Sequence, residues 1–275
     1  MTEIITNRLT AALAAAREAF NHPDALSQSR AKTILDSCVA RMIAEPKRPS
    51  SPAQALGSLV HCMVLEPTEV ERRYHVVPPV NRRTNAGKAE AAAALEAAAG
   101  RTVVEEDDYA TATAMGAKIL AHPHAAFWLE QPGLSEVKLG WTDPATGVRA
   151  KGVLDRLAVE DRAVREIKTA QEAGVAGFQK AIGNHRYHVQ AALYVDGASL
   201  ILEQAGLEPV QEFGFIVVES TAPFEVACYT LDATAIDRGR RLYQEAFRQW
   251  GAYLADRQAW HGYPLGLSIG IPRWA

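Results

Sequence analysis

The chain has 275 residues, of which 48% are hydrophobic and 22% are charged, and its formal net charge is −3 at pH 7. A chain of this length can bury a sizeable core, whereas the slightly negative charge argues against a protein that coats nucleic acid with a broad basic surface. The sequence has no apolar run close to the roughly 20 residues of a membrane span, no secretion signal at its start and no C-x-x-C pair, so we expect a cytoplasmic protein with no membrane partner.

The first part of the chain, from about residue 8 to residue 122, is predicted to be mainly helical. Residues 8–20 have an amphipathic helical pattern, and a second helix is predicted from Ser27 or Ser29 to about residue 44. A third helix is predicted over residues 53–67, because a proline near the start and another just past the end are usual helix boundaries.

The third helix contains Gly57 and His61, which are four residues apart and therefore share one helical face. Glycine costs a helix about 1 kcal/mol relative to alanine, which is tolerable where another backbone or a ligand must come close. His61 is thus a candidate metal ligand. The alternative is a histidine that packs into the core.

A basic segment follows at residues 81–88, with the sequence N-R-R-T-N-A-G-K. Its cationic residues are Arg82, Arg83 and Lys88. Two interpretations remain open, namely an exposed loop that leads into a helix and a set of contacts to the phosphates of a nucleic acid.

Three predicted strands follow as an antiparallel meander. The first covers residues 134–142, the second leads into Asp155, and the third carries Glu166 and Lys168. Glu166 and Lys168 are two residues apart, so they share one face of their strand.

A polar E-D-R break separates the second and third strands. If the chain turns between the glutamate and the aspartate of this break, Asp155 lies directly opposite Glu166, with Cβ atoms about 4.5–5.5 Å apart. A turn shifted by one residue would place Asp155 opposite Ile167 or Lys168 instead. Each register brings two carboxylates and one ammonium to a small patch of the sheet.

Carboxylates that lie this close repel each other unless a cation or a proton sits between them. A hard divalent ion such as Mg²⁺ takes oxygen ligands and can activate water against a phosphoryl group, while the Lys168 ammonium can stabilise the developing negative charge. Phosphodiester hydrolysis needs such a group of residues. The alternative is a solvated strand face with weak ion pairs.

The first strand of the meander carries one further acid, Glu136. Its side chain could point into the site, but the pattern favours an exposed glutamate that pairs with Lys138 or Lys151.

Helices are predicted again at residues 171–183 and 187–204. In the second of these, Tyr187, Gln190 and Tyr194 lie on one face by their i, i+3 and i+4 spacing. Packing of aromatic rings onto the sheet explains Tyr187, whereas a buried Gln190 must find polar partners. The remaining predicted elements are strands at 211–219 and 224–231, a long helix at 233–256 and an apolar, irregular tail.

Several segments together resemble the RecE-type exonucleases, the exodeoxyribonuclease VIII family in the RecB-like branch of the PD-(D/E)XK nuclease superfamily. The matching segments are A-L-G-S-L-V-H-C-M-V-L-E-P, N-R-R-T-N-A-G-K, K-G-V-L-D-R-L, E-I-K-T-A, R-Y-H-V-Q-A-A-L-Y-V-D and the closing I-P-R-W-A. They occur in the order of that family, from about residue 27 to the end. RecE proteins typically carry aspartate where this chain has Glu166, and the superfamily accepts either acid.

The resemblance implies an α/β fold of the PD-(D/E)XK type, in which helices flank a central mixed sheet that includes the antiparallel meander. It implies a single nuclease domain over residues 1–275. Within it, a helical part at about 8–122 precedes a catalytic sheet core at about 134–231, a long helix and the C-terminal tail.

The resemblance also implies the roles of individual residues. Lys168 would be the catalytic lysine, supported by the Q-x-x-x-Y pair of Gln190 and Tyr194. Arg82, Arg83, Lys88 and Lys151 are candidates for contacts to the DNA backbone. The implied metal ligands are His61, Asp155, Glu166 and the carbonyl of Ile167.

By the same resemblance we expect a Mg²⁺-dependent exonuclease, with Mn²⁺ able to substitute, that degrades double-stranded DNA with free ends in the 5′ to 3′ direction. It would leave a 3′ single-stranded overhang for phage-type recombination beside a RecT-like single-strand annealing protein. We also expect a homo-oligomer, such as a ring-shaped tetramer. The alternatives are an endonuclease, a nuclease subunit of a larger complex, and a catalytically inactive DNA-binding subunit of the same fold.

Overall fold

The computed structural model of the chain describes residues 3–46, 49–81 and 83–271. The helices are α1 (Glu3–Phe20), α2 (Gln28–Asp36), α3 (Val39–Ala44), α4 (Pro52–Leu65), α5 (Val70–Arg73), α6 (Asn85–Ala97), α7 (Glu106–Ala121), α8 (Pro123–Glu130), α9 (Val175–Asn184), α10 (Tyr187–Gln204) and α11 (Ala233–Ala255). The strands are β1 (Leu26–Ser27), β2 (Tyr74–Val77), β3 (Thr102–Glu105), β4 (Leu134–Thr142), β5 (Arg149–Ala158), β6 (Ala163–Ala170), β7 (Glu212–Glu219) and β8 (Val226–Thr230).

A mixed six-stranded sheet forms the centre of the molecule. The predicted meander β4–β5–β6 is antiparallel, β6 and β7 pair in parallel, and β8 returns antiparallel to β7. Strands β2 and β3 form a separate parallel pair. The fold is therefore a mixed α/β fold with a central mixed sheet and flanking helices, as predicted.

Two groups of helices pack against this sheet. Helices α1, α2, α10 and α11 contribute to one apolar cluster, together with residues such as Phe213 and Phe215 of β7. Helices α4, α7 and α8 contribute to the other, together with Ile167 of β6 and Ile216 of β7. Apolar side chains that alternate along β6 and β7 thus bury both faces of the sheet.

Helix α4 begins where the sequence places its start. The Ser51 side chain accepts a hydrogen bond from the backbone N–H of Gln54, the Gln54 side chain accepts one from the Ser51 N–H, and Pro52 occupies the first turn. This reciprocal cap satisfies N–H groups that a helix start leaves unpaired. The face of α4 that carries Gly57 and His61 lies over β6, where a side chain at Gly57 would come within 3.3 Å of the Thr169 hydroxyl.

The β5–β6 hairpin has the predicted register, because Arg156 pairs with Arg165 and Ala158 with Ala163. The ladder ends at Arg156 and Arg165, and beyond this pair the two strands diverge. We call this unpaired region the strand split. It begins at Asp155 on β5 and at Glu166 on β6. On the same side of β5, strand β1 pairs with Ala150 and Lys151.

The structure also corrects the sequence analysis at several elements, two of which flank α2. The second predicted helix is in fact two helices, α2 and α3, because the chain adopts extended backbone at Cys38. The two-residue strand β1, which pairs in parallel with β5, was not predicted. Among the helices that the structure describes, none combines the length and apolar character needed to cross a bilayer.

Candidate metal centre

Three potential metal ligands meet at one end of the meander. His61 on α4, Glu136 on β4 and Asp155 on β5 each offer one ligand atom, and these atoms all lie within 4.8 Å of one another. The His61 Nδ1 atom is 3.3 Å from Oδ2 of Asp155. A helix and two strands, far apart in sequence, thus supply one compact group of ligands.

The strand split places the two predicted acids. The Asp155 N–H donates to Oε1 of Glu166 at 3.2 Å, and the Ile167 N–H donates to Oδ2 of Asp155 at 2.8 Å. The carboxylate of each acid therefore accepts a hydrogen bond from the backbone of the opposite strand, in place of the interstrand ladder. This reciprocal arrangement fixes both buried acids without a continuous sheet between them.

Glu166 is held by a second set of partners. Its Oε2 atom accepts hydrogen bonds from Nζ of Lys168 and from Nε2 of Gln190, each at 2.7 Å. The hydroxyl of Tyr194 interacts in turn with Gln190 and with the backbone of Val153. The buried Gln190 amide thus has the polar partners that its position requires, and it links α10 to the acid of β6.

The charges of the site are shifted by burial and by one another. Burial, followed by the charge of Asp155, raises the pKa of Glu166 to about 7. Burial alone would lower the pKa of Lys168, but the charges of Glu166 and Asp155 outweigh it and keep the pKa above the usual value. Lys168 is therefore a cation at neutral pH and can stabilise negative charge, but it cannot act as a base there.

His61 and Asp155 hold each other in their charged forms. Burial opposes the charge on both groups, yet the attraction and hydrogen bond between them raise the pKa of His61 and lower the pKa of Asp155. A metal that binds here must therefore displace a proton from the imidazole.

Glu136 was expected to be an exposed partner of Lys138 or Lys151, and this expectation is wrong. Its position on β4 lies between the pairs Ser135–Arg156 and Val137–Leu154, which places it opposite Asp155. Its backbone has a left-handed φ of 51°, which interrupts the regular strand at this point. Burial and repulsion from Asp155 raise the pKa of Glu136. Simple alternation along a strand could not predict this side-chain direction.

The ligand set fits a divalent cation. Two carboxylates that repel each other and one imidazole converge on a common point, and a positive ion there would relieve the repulsion that raises the pKa of Glu136. Glu166 is not part of this three-residue group and lies next to it through Asp155. Its predicted role as a ligand, and that of the Ile167 carbonyl, therefore remain predictions.

Of the four basic candidates, the three that the structure describes are not part of the ligand group. Arg83 and Lys88 are exposed near the start of α6. The Lys151 ammonium lies 5.4 Å from the centre of the Phe20 ring. Arg82 lies outside the described residues. Their contact with DNA remains a prediction.

One further cation near the site was not singled out from the sequence. Lys32 on α2 approaches the ring of Tyr187, the same ring that Lys168 approaches. No sequence spacing links α2 to β6, so no local pattern could have identified this residue.

Comparisons with known proteins agree with this architecture. Residues 27–258 match the model of a family described as a PDDEXK-like domain of unknown function (DUF3799). The fold is similar to that of a protein from Eubacterium rectale described as a "Putative exonuclease", with a TM-score of 0.61 and 11% identity over 98% of this chain and 96% of that chain. At this identity the likeness shows the fold alone.

A second solved structure, that of SSO0001, aligns with a TM-score of 0.28 and 14% identity over 80% of this chain and 84% of that chain, which is too weak to carry an argument. No curated protein sequence matches the chain.

Proposed function

The chain belongs to the family of PDDEXK-like domains described as DUF3799, and we propose that it is a divalent-metal-dependent nuclease that hydrolyses phosphodiester bonds of DNA. The observation that carries this proposal is the strand split, where Asp155 and Glu166 are held by each other's strand beside a three-residue ligand group. Fold membership alone would not support an activity, whereas this arrangement supplies the groups that the reaction needs.

His61, Glu136 and Asp155 would hold the ion, with Glu166 beside them. When bound, a divalent ion supplies polarisation of the phosphoryl oxygen and a water of lowered pKa. Mg²⁺ suits the carboxylate oxygens, and the imidazole of His61 makes Mn²⁺ a reasonable substitute.

The residues of the chain have distinct tasks in this reaction. The positively charged ammonium of Lys168 stabilises the negative charge that develops on the phosphoryl group. Gln190 fixes the carboxylate of Glu166 through a buried hydrogen bond, so that this acid does not rotate away from the site. Tyr194 supports Gln190 from the same helix face and stays protonated, because burial raises its pKa well above the usual value.

The finer function rests on the resemblance to RecE-type exonucleases. We propose degradation of linear double-stranded DNA in the 5′ to 3′ direction, which leaves a 3′ overhang for a single-strand annealing protein. The Eubacterium rectale protein of similar fold is itself described as a "Putative exonuclease". A homo-oligomer such as a ring-shaped tetramer, which the resemblance implies, would keep such an enzyme on its substrate.

The test compares digestion of a closed circular plasmid with digestion of the same plasmid after linearisation, with Mg²⁺ or Mn²⁺. An exonuclease spares the circle and digests the linear form, whereas cleavage of the circle would identify an endonuclease. Linear duplexes labelled at one 5′ or 3′ end then report the polarity. If neither form is digested with either ion, the proposed function is wrong and the inactive DNA-binding alternative gains support.

Lys168→Ala supplies the matched test of mechanism. Loss of one such electrostatic donor is expected to lower kcat by about 100-fold or more. Lys118→Ala is the control, because Lys118 is half-exposed on α7 and pairs with Glu225 at 3.8 Å. Circular dichroism checks that both variants are folded. Metal-dependent cleavage that persists in Lys168→Ala at the rate of the control would contradict the assigned role.

A further inference from the structure

Lys32 lies near the site but has no role in the reaction proposed above. Its ammonium lies 5.4 Å from the centre of the Tyr187 ring, and the ammonium of Lys168 lies 5.3 Å from the centre of the same ring. Both distances are within the range of a cation–π contact. Two lysines, one from α2 and one from β6, thus approach a single aromatic ring next to Glu166.

The chain topology brings α2 to this place. Strand β6 pairs with one edge of β5 only at residues 156–158. Strand β1 pairs with the same edge at Ala150 and Lys151, on the other side of the strand split. Helix α2 begins at Gln28, directly after β1, and the Ser27 side chain caps it by accepting a hydrogen bond from the backbone N–H of Arg30. The start of α2 is therefore anchored beside the split, and Lys32 lies one turn further along the helix.

The positive charge of Lys32 is not neutralised by a hydrogen-bonded acid. Within the described part of the chain no hydrogen bond or ion pair joins the Lys32 ammonium to another side chain. The acids near it are engaged elsewhere, since Asp36 pairs with Arg186 at 2.7 Å and Glu166 with Lys168 at 2.7 Å. Burial and repulsion from Lys168 lower the pKa of Lys32 to about 7.

A partly buried cation without a hydrogen-bonded acid costs free energy in the free protein, and an anionic group of a ligand would offset this cost. On the proposed function that ligand is a polyanion, and the phosphate that is cleaved lies at the metal ligands close to Lys168. Tyr187 also lines a cavity of about 530 Å³, together with Thr169, Glu172, Lys180 and Asn184, so open space adjoins the ring that Lys32 approaches.

We propose that Lys32 binds a phosphate of the DNA strand next to the one that is cleaved, and that Tyr187 positions the Lys32 and Lys168 ammonium groups. This inference rests on the proposed function and extends it to a second phosphate site. Lys32 would contribute to substrate binding, while Lys168 acts on the cleaved phosphate itself. A phosphate at Lys32 would keep this lysine protonated and would remove the cost of its unpaired charge.

The test uses the full chain with Lys32→Met, which keeps an unbranched side chain and removes the charge, with Lys32→Arg as the conservative variant. Lys118→Met serves as the control for loss of a half-exposed lysine. Steady-state digestion of a linear duplex is measured at several salt concentrations, and thermal unfolding is measured without DNA or metal.

Lys32→Met is expected to raise KM by about 5- to 10-fold at 0.1–0.15 M salt, since one phosphate contact contributes a slope of about 0.9 in the logarithmic salt dependence. The slope of log(kcat/KM) against log salt should become shallower by about one. The change in kcat should be small, Lys32→Arg should retain most of the affinity, and the Tm of Lys32→Met should equal or exceed that of the wild type.

Two results would overturn the inference. One is a wild-type KM and salt slope in Lys32→Met, and the other is a fall in Tm with an unchanged slope, which would assign Lys32 a purely structural role. If wild-type protein digests no DNA, the proposed function fails first and this inference fails with it. If the wild type is active and Lys32→Met behaves like Lys118→Met, only this inference fails.

Discussion

Glu136→Gln is the variant that best tests the geometry of the metal centre, because it removes one charge and keeps the size of the side chain. Glu136, His61 and Asp155 offer ligand atoms that lie within 4.8 Å of one another. We expect the variant to bind Mn²⁺ more weakly than the wild type and to lose activity at low metal concentration, with partial recovery at high metal concentration.

The size of this effect follows from the charges. Two unit charges 4 Å apart attract by about 4 kcal/mol at an effective dielectric constant of 20, and a divalent ion would double this. Most of this attraction is offset, because binding must remove water from the half-buried Glu136 and must displace the proton that its raised pKa favours. A net loss of about 1.4–2.8 kcal/mol remains, which corresponds to a Kd about 10- to 100-fold higher.

Isothermal titration calorimetry with Mn²⁺ measures this change directly. Glu160→Gln is the control, because Glu160 is exposed in the β5–β6 turn and lies outside the ligand group. An unchanged Kd in Glu136→Gln would refute the assignment of Glu136 as a ligand.

Thermal unfolding of the metal-free protein gives a second, independent result for Glu136→Gln. The raised pKa of Glu136 means that its charged form is disfavoured in the folded state. The group therefore reduces stability at pH values above its unfolded pKa, and this penalty disappears as the pH falls and the acid takes up a proton. At pH 8 the variant should be at least as stable as the wild type, so a lower Tm would show that Glu136 has a structural role.

Three further predictions follow from the same site. Gln190→Leu removes the buried hydrogen bond to Glu166, and we expect activity or metal affinity to fall by about 10- to 100-fold, as kinetics and calorimetry would show. Metal affinity should rise between pH 6 and pH 8, because the ion must displace a proton from His61, whose pKa is raised, and because Glu166 beside the ligand group, whose pKa is about 7, becomes negatively charged in this range. Calorimetry in buffers of different ionisation enthalpy would count the released protons, and an affinity independent of pH would contradict this. Gly152→Ala would place a Cβ 2.5 Å from the ring of Tyr194, so we expect a loss of about 1–3 kcal/mol in the free energy of unfolding. Denaturant titration measures this loss, with Gly183→Ala as the control, because a Cβ at Gly183 meets no atom within 4 Å.

The hairpin that carries the acids could be predicted from the sequence because its cues are local. The polar break between two β-branched runs fixes the turn, and the turn fixes which residues of β5 and β6 face each other. The start of α4 at Ser51 and Pro52 is local in the same way, and the spacing of Gly57 and His61 then fixes one helix face. The buried Gln190 could be recognised as a residue that needs partners, although the sequence could not identify the partner as Glu166.

What the sequence by itself determined about this protein was the β4–β5–β6 meander and its hairpin register, since short-range patterns specify them. The mixed sheet was implied by the family resemblance, and the roles of His61, Asp155, Glu166 and Lys168 stay predictions. Only the tertiary structure decided how these residues are combined. Glu136 enters the site through a left-handed backbone conformation that breaks strand alternation. Lys32 comes close to the site because α2 directly follows a two-residue strand that pairs with β5. The position of Lys32 depends on a contact between segments more than 100 residues apart, and that of Glu136 depends on a single irregular dihedral angle. Neither feature produces a periodic pattern in the amino-acid sequence.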